Sequence, residues 1–112
     1  MSDWLVSLND LKQCVPDDVL VLPAHNSPFK GLHARIDQLI SGHHRGLAHL
    51  VERLAKPRRA VDLFGSLFTR PITGELLGMA TGETMAHLNY LWKIGNIIRE
   101  LDNQGVYWWR RR

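Results

Sequence analysis

The sequence predicts a mainly α-helical protein of the α+β class that ends in a β-hairpin. A long stretch over 31–54 places its apolar residues at helical spacing. A short apolar run at 19–22 and two β-type runs at 97–101 and 106–109 predict strands. With 112 residues, the chain is long enough for one ordinary domain, or for a small domain with an appendage.

The composition is that of a globular chain and excludes several classes of function. Hydrophobic residues make up 45% of the sequence and charged residues 22%. The net charge of +3 is well below that of a protein that binds nucleic acid mainly through charge. Cys14 is the one cysteine, so no internal disulfide is possible and a reducing, cytoplasmic setting is expected. No apolar run approaches the ~20 residues of a membrane span, and the polar residues near the N-terminus do not suit a signal peptide.

The N-terminus predicts a short helix. Ser2 or Asp3 caps it, and its apolar residues share one face as far as about Gln13. Pro16, followed by two aspartates, ends the helix.

The next segment predicts a strand that has no sheet of its own. Val19–Leu22 shows no polar alternation, which indicates burial on both faces, as in a sheet covered by helices. One strand makes no sheet, so this segment must pair with something outside itself. Pro23 ends the strand and His25 follows in a loop, which is a common place for a metal-binding or substrate-binding histidine.

A long linking helix is predicted from about Gly31 to Leu54. Gly42 and Gly46 weaken its middle by about 1 kcal/mol each relative to alanine, and their lack of a side chain permits close approach of another element. The segment Lys56–Arg59, which contains a proline, ends the helix.

The region after Arg59 predicts three short helices and a hairpin. The helices are expected over 60–68, over 75–80, and from Thr81 or Gly82 to about residue 95. Strands at 97–101 and 106–109 flank a turn at 102–105. Three helices followed by a hairpin form the winged-helix arrangement, and the terminal arginines, Arg110–Arg112, are expected to be a solvated tail.

The chain resembles the C-terminal region of metallo-β-lactamase-fold hydrolases. The residues that carry the resemblance are Leu22-Pro23-Ala24-His25-Asn26, Pro28-Phe29-Lys30-Gly31-Leu32, Arg35-Ile36, His43-His44 and Leu47. The winged-helix-like tail after Arg59 is similar to the accessory domain that many of these enzymes carry. Where many relatives have glycine, this chain has Ala24 and Asn26, and these mild changes do not affect the match at His25.

The resemblance implies a division of the chain and a function. Residues 1–30 are then a remnant of the catalytic fold, 31–58 the linking helix, and 59–112 the accessory domain. The chain would be a C-terminal fragment of a metal-dependent hydrolase. His25 would be the last ligand of a dinuclear site holding zinc or another divalent metal.

The sequence does not contain the other ligands that the resemblance implies. The first ligands in this family come from a His-x-His-x-Asp-His motif, which is absent here. The isolated chain is therefore expected to lack catalysis and to bind no metal tightly, because one ligand cannot hold a metal. A single loop histidine that only bonds its neighbours remains the alternative for His25.

Five further residues are candidates for a substrate cleft or an interface. His43 and His44 cannot chelate one metal, because consecutive helix residues diverge by ~100°. One ring of the Trp108–Trp109 pair should be exposed. The exposed ring would line a pocket or a subunit contact, or lie at the surface without a specific role. The candidates are Phe29, Arg35, His43, His44 and Trp109.

The partners expected from the sequence are the rest of a parent enzyme or another copy of this chain, which makes a homo-oligomer the expected state. The competing hypothesis is a small winged-helix module that binds DNA or a protein. A DNA-reading third helix needs basic side chains, and its segment at 83–93 offers one lysine. The sequence therefore disfavours nucleic acid as a partner, and no membrane association is expected.

Overall fold

The computed structural model describes all residues, Met1–Arg112, as a helical chain with one C-terminal hairpin, which confirms the predicted fold class. Two compact units, Met1–His44 and Arg45–Arg112, divide within a helix. The domain boundaries at 30 and 58 stay predictions.

The elements in chain order are α1 (Ser2–Cys14), α2 (Leu32–Arg53), a 3₁₀ turn (Ala60–Leu63), α3 (Phe64–Leu67), a 3₁₀ turn (Gly74–Leu76), α4 (Leu77–Lys93), β1 (Ile97–Leu101) and β2 (Tyr107–Arg111).

Helix α1 ends where the backbone turns extended at Val15, whose N–H donates to the Leu11 carbonyl at 2.9 Å. One ion pair links it to the first turns of α2. The Lys12 ammonium lies 2.7 Å from an Asp37 carboxylate oxygen. This pair is exposed and contributes little stability.

Residues 15–31 are loop, and the predicted buried strand at 19–22 is wrong for this chain. The segment makes one antiparallel bridge, in which Val21 and Phe29 exchange backbone hydrogen bonds of 2.7 and 3.1 Å. Leu20 and Leu22 are 57% and 75% exposed. No neighbouring strand is available to extend the ladder, so the apolar run has neither a sheet nor a cover.

The start of α2 is fixed by the loop that precedes it. Gly31 has φ +84°, a left-handed conformation that suits glycine. The backbone N–H of His33 donates to the Asp17 carboxylate at 2.9 Å, which satisfies one of the free donors of the first turn. The His33 ring bonds the Val15 carbonyl at 2.7 Å through Nε2. A side chain distant in sequence thus replaces a local cap.

Between α2 and α4 the chain makes one short helical segment. Arg59 and Asp62 form a capping box around the first 3₁₀ turn, with the Arg59 N–H donating to the Asp62 carboxylate at 3.1 Å. Leu63 is fully buried, and the helix ends when Phe68 becomes extended.

A single helix, α4, replaces the two helices predicted over 75–80 and 81–95. The Thr81 hydroxyl donates to the Leu77 carbonyl at 2.7 Å inside the helix and does not start a new one. The buried face runs through the predicted break without interruption, as Ala80, Thr84, His87, Leu88 and Leu91. The region after Arg59 therefore has two helical segments where three were predicted, and the winged-helix assignment stays a prediction.

The hairpin is tied into the second unit along β2. Strands β1 and β2 pair from Ile97↔Arg111 to Leu101↔Tyr107. Arg58 and Trp109 exchange backbone hydrogen bonds of 2.9 and 2.7 Å, and the Arg111 N–H donates to the Leu54 carbonyl at 2.8 Å. Arg110 and Arg111 thus lie in a strand where a disordered tail was predicted, although all three terminal arginines are exposed. None of the helices is both long and apolar enough to cross a bilayer.

Candidate functional site

The loop that carries His25 is closed by the Val21–Phe29 bridge. His25 lies between the two bridging residues and is exposed. Asn26 follows with φ +71°, and asparagine is one of the few non-glycine residues that tolerates this region. The loop thus offers one accessible imidazole, which is one nitrogen ligand or one proton acceptor.

The residues of this chain do not make a metal site by themselves. No group of three His, Cys, Asp or Glu side chains is placed so that it could hold a metal ion. A hydrolytic metal site needs about three protein ligands and an open position for water. His25 therefore fits a metal only if further ligands come from outside residues 1–112.

The structure does not gather the other candidates of the N-terminal half into one site. Phe29 is half-buried in its bridge. Arg35 is exposed, with its guanidinium 3.5 Å from the Gln38 amide oxygen, at the limit of a hydrogen bond. His43 is half-buried with its ring centroid 4.4 Å from that of Trp4, whereas His44 is exposed. Their roles in a cleft or an interface stay predictions.

The predicted surface role of Trp109 is corrected by its burial. Trp109 is 1% exposed and belongs to the core of the second unit. The half-buried ring of the pair is Trp108, whose Nε1 donates to the Asp102 carboxylate at 2.8 Å. The Arg59 guanidinium lies 5.6 Å from the centre of the Trp108 ring. Trp109 is therefore buried away from any cleft, while the half-buried Trp108 ring is engaged by Asp102 and Arg59.

Sequence reasoning missed a cluster of three aromatic rings around Arg99. The Arg99 guanidinium carbon lies 3.9 Å from the ring centre of Trp92, 4.5 Å from Tyr107 and 5.6 Å from Trp109. The observed register pairs Arg99 with Trp109. The turn predicted at 102–105 would pair Arg99 with Trp108 instead. The sequence could therefore reveal the cluster only with the correct turn length.

Two carboxylates of the second unit have lowered pKa values. Hydrogen bonds from the Trp108 ring and then from the Val106 backbone lower the pKa of Asp102. The hydrogen bond from the Arg59 side chain lowers the pKa of Asp62, and this contact raises the pKa of Arg59. Both carboxylates are engaged by their own turns, which assigns them structural roles.

Comparisons with known proteins identify the class of protein to which this fold belongs. The family described as metallo-beta-lactamase-like, C-terminal domain, matches residues 47–112. A solved beta-lactamase domain protein from Burkholderia ambifaria is 35% identical over 97% of this chain, with a TM-score of 0.90. A solved metallo-beta-lactamase family protein from Thermus thermophilus is 29% identical over 99% of this chain, with a TM-score of 0.82.

The chain belongs to the metallo-β-lactamase-like C-terminal domain family. It spans about a third of each solved relative, 32% of the first and 33% of the second. No curated protein matches the sequence. The resemblance of the sequence to this family is therefore confirmed.

Proposed function

We propose that this chain is the C-terminal part of a metal-dependent hydrolase with the metallo-β-lactamase fold. The observation that carries the proposal is the match of nearly the whole chain to about a third of two solved proteins of that fold. The remaining two thirds of such a protein have room for the catalytic residues that this sequence lacks. Residues 59–112 would then be the accessory domain, joined to the catalytic part by the linking helix at 31–58.

His25 is the residue that we assign to the metal in this proposal. Its support is an exposed imidazole in a loop closed by a backbone bridge. A divalent metal such as zinc would supply a water of lowered pKa for hydrolysis. The role of this chain is to position one imidazole, and the other ligands must come from a protein segment outside residues 1–112.

The proposal includes a reducing cytoplasmic setting, which suits the free, exposed Cys14. Duplex DNA is not part of it. Helix α4 carries Lys93 as its one Lys or Arg side chain, which is too few to neutralise several phosphates. The alternative is a protein-interaction module that binds its partner through the hairpin.

The test joins this chain to a catalytic portion. The first two thirds of the Burkholderia protein are co-purified with this chain, and bound zinc is measured by elemental analysis. We expect His25→Ala to lower the zinc content of the complex, because it removes a ligand. His49→Ala is the matched control, since His49 is also exposed but lies within α2.

The isolated chain is the second arm of the test. We expect it to hold no stoichiometric zinc and to hydrolyse no ester, thioester or β-lactam substrate. Tight stoichiometric metal in the isolated chain, together with turnover lost in His25→Ala, would show that the chain is a complete enzyme and overturn the proposal. Equal zinc in the His25→Ala and wild-type complexes would remove His25 from the site.

A further inference from the structure

The Arg99 cluster is a charged group held among aromatic rings and left without a counter-ion. Its guanidinium carbon lies over the rings of Trp92 and Tyr107, which are 39% and 40% exposed. None of the ion pairs of the protein includes Arg99. Cation–π attraction holds a guanidinium over an aromatic ring, and its N–H groups can still donate to a carboxylate.

Strand β1 has an open edge beside this cluster, because the sheet has two strands and β2 is its one neighbour. The Asp102 N–H donates to the Val106 carbonyl at 2.9 Å, so this pair is hydrogen-bonded and the pattern alternates from there. The backbone groups of Arg99 and Leu101 therefore face away from β2.

The two edges of the hairpin are used differently. On the β2 edge, Trp109 bonds Arg58 and Arg111 bonds Leu54 through the outward backbone groups. On the β1 edge, no backbone hydrogen bond engages the outward groups of Arg99 or Leu101. An open strand edge of this kind is a template for another extended segment.

Charge and exposure indicate what fits this edge. Arg99 is the one basic residue of β1, while the nearby Glu100 is paired with Arg110 at 3.4 Å and the Asp102 carboxylate is engaged by its own turn. Leu101, two residues from Arg99 in the same strand, is 59% exposed, so apolar area lies next to the cation. An acidic segment with apolar residues complements both features.

We propose that the outer edge of β1 binds an extended acidic peptide segment of a partner protein. The segment adds a third strand to the hairpin, with its backbone on Arg99 and Leu101 and a carboxylate on the Arg99 guanidinium. This inference does not rest on the hydrolase proposal, since it uses the hairpin and the end of α4 alone.

Two other occupants fit less well. Two copies paired antiparallel about Arg99 would place like charges opposite each other, which is destabilising. A nucleic acid would use the aromatic rings and the charge but has no backbone ladder to pair with the open strand edge. The regular alternation of outward backbone groups therefore favours a peptide.

The test uses the full chain and a short blocked peptide of alternating valine and glutamate, followed by amide NMR and fluorescence anisotropy. We expect saturable shifts and slowed hydrogen exchange at the amides of Arg99 and Leu101. Arg99→Gln should weaken binding about tenfold, because a charge-assisted hydrogen-bonded pair is lost. A peptide with glutamine in place of glutamate should weaken binding similarly.

Two variants separate the edge from the charge. Leu101→Pro removes an outward N–H while keeping Arg99, and proline is tolerated on edge strands. It should weaken binding in a chain whose amide spectrum is otherwise unchanged. Arg70→Gln is the matched control, since Arg70 is an exposed arginine of the second unit that lies outside the hairpin and the cluster. Its affinity should stay within about twofold of wild type.

Several results would overturn the proposal. Absence of saturable shifts at Arg99 and Leu101, or equal binding of wild type and Arg99→Gln, removes the peptide site. Tighter binding of an oligothymidine than of the peptide through these residues assigns the surface to nucleic acid. Shifts at the same amides that grow with protein concentration alone assign it to a second copy.

Discussion

At the residue scale, Asp102 organises the hairpin by accepting three hydrogen bonds. Its carboxylate takes the backbone N–H of Gln104 at 2.8 Å, that of Val106 at 2.9 Å, and the Trp108 Nε1–H at 2.8 Å. These donors favour the ionised carboxylate, which is why its pKa is lowered. One side chain therefore closes the turn and orients a neighbouring ring.

We expect Asp102→Asn to reduce the stability of the protein in a pH-dependent way. A carboxylate with a lowered folded-state pKa stabilises the fold above its unfolded pKa of about 4, and this contribution is lost as the pH falls through the folded pKa. The difference in unfolding free energy between wild type and Asp102→Asn should thus be largest near neutral pH and shrink in acid. Urea unfolding across a pH series measures it.

Trp108→Phe gives a second measurement of the same contact. It removes the largest cause of the pKa shift while keeping an aromatic ring. NMR titration of the Asp102 carboxyl should show a higher pKa in Trp108→Phe than in wild type. An unchanged pKa would mean that the Trp108 hydrogen bond does not hold the carboxylate in its ionised form.

At the element scale, Gly46 in α2 permits close packing, as its position in the sequence predicted. A Cβ at Gly46 would lie 3.1 Å from Cδ2 of Leu67 and 3.8 Å from Nε2 of His87. The first distance is tighter than ordinary contact. By contrast, a Cβ at Gly82 in α4 would meet no atom within 4 Å. Close packing therefore accounts for the glycine at position 46 but not for the glycine at position 82.

We expect Gly82→Ala to raise the unfolding free energy by about 0.5–1 kcal/mol, since alanine costs less backbone entropy in a helix. Gly46→Ala should gain less or lose stability, because the Leu67 side chain must move to admit the methyl group. Thermal and urea unfolding of both variants test the comparison. A larger gain at Gly46 than at Gly82 would contradict it.

At the scale of the whole molecule, the two units differ in charge and in core. Residues 1–44 carry three Lys and Arg against five Asp and Glu, whereas residues 45–112 carry eleven against six, a net charge of +5. Leu8 and Ile36 are the buried apolar residues of the first unit, and the second unit holds the other nine. The first unit therefore has the smaller buried apolar core.

The exposed run at 19–22 leads to a prediction about association. Leu20 and Leu22 leave apolar area open beside a chain segment that makes one bridge. We expect the isolated chain to associate as its concentration rises, because exposed apolar strand segments pair with other chains.

Light scattering across a concentration series measures this association. The double variant Leu20→Ser and Leu22→Ser should shift the midpoint to higher concentration. Val61→Ser is the control, since Val61 is 52% exposed but lies in the second unit. A chain that stays monomeric throughout the series would refute the idea of a partner surface on this segment.

The sequence by itself determined the elements that depend on local signals. The stripe at 31–54 and its glycine and proline boundaries predicted α2 to within a residue or so at each end, because amphipathic spacing and stop signals lie within the segment. The loop position of His25 followed from the proline before it, and the family followed from short motifs. The hairpin was also recognised from its two β-type runs.

The tertiary structure decided what depends on distant partners. The buried face of α4 overrode the stop signal at Thr81 and Gly82, because continuous packing outweighs a weak local preference. Leu101 pairs with Tyr107, one residue beyond the predicted turn, and this register gave Trp109 to the core and placed Arg99 among the rings. Val19–Leu22 is a second segment whose structure depends on a distant partner. Its sequence specifies a buried strand, but a strand forms only where a neighbour supplies the other half of each hydrogen bond.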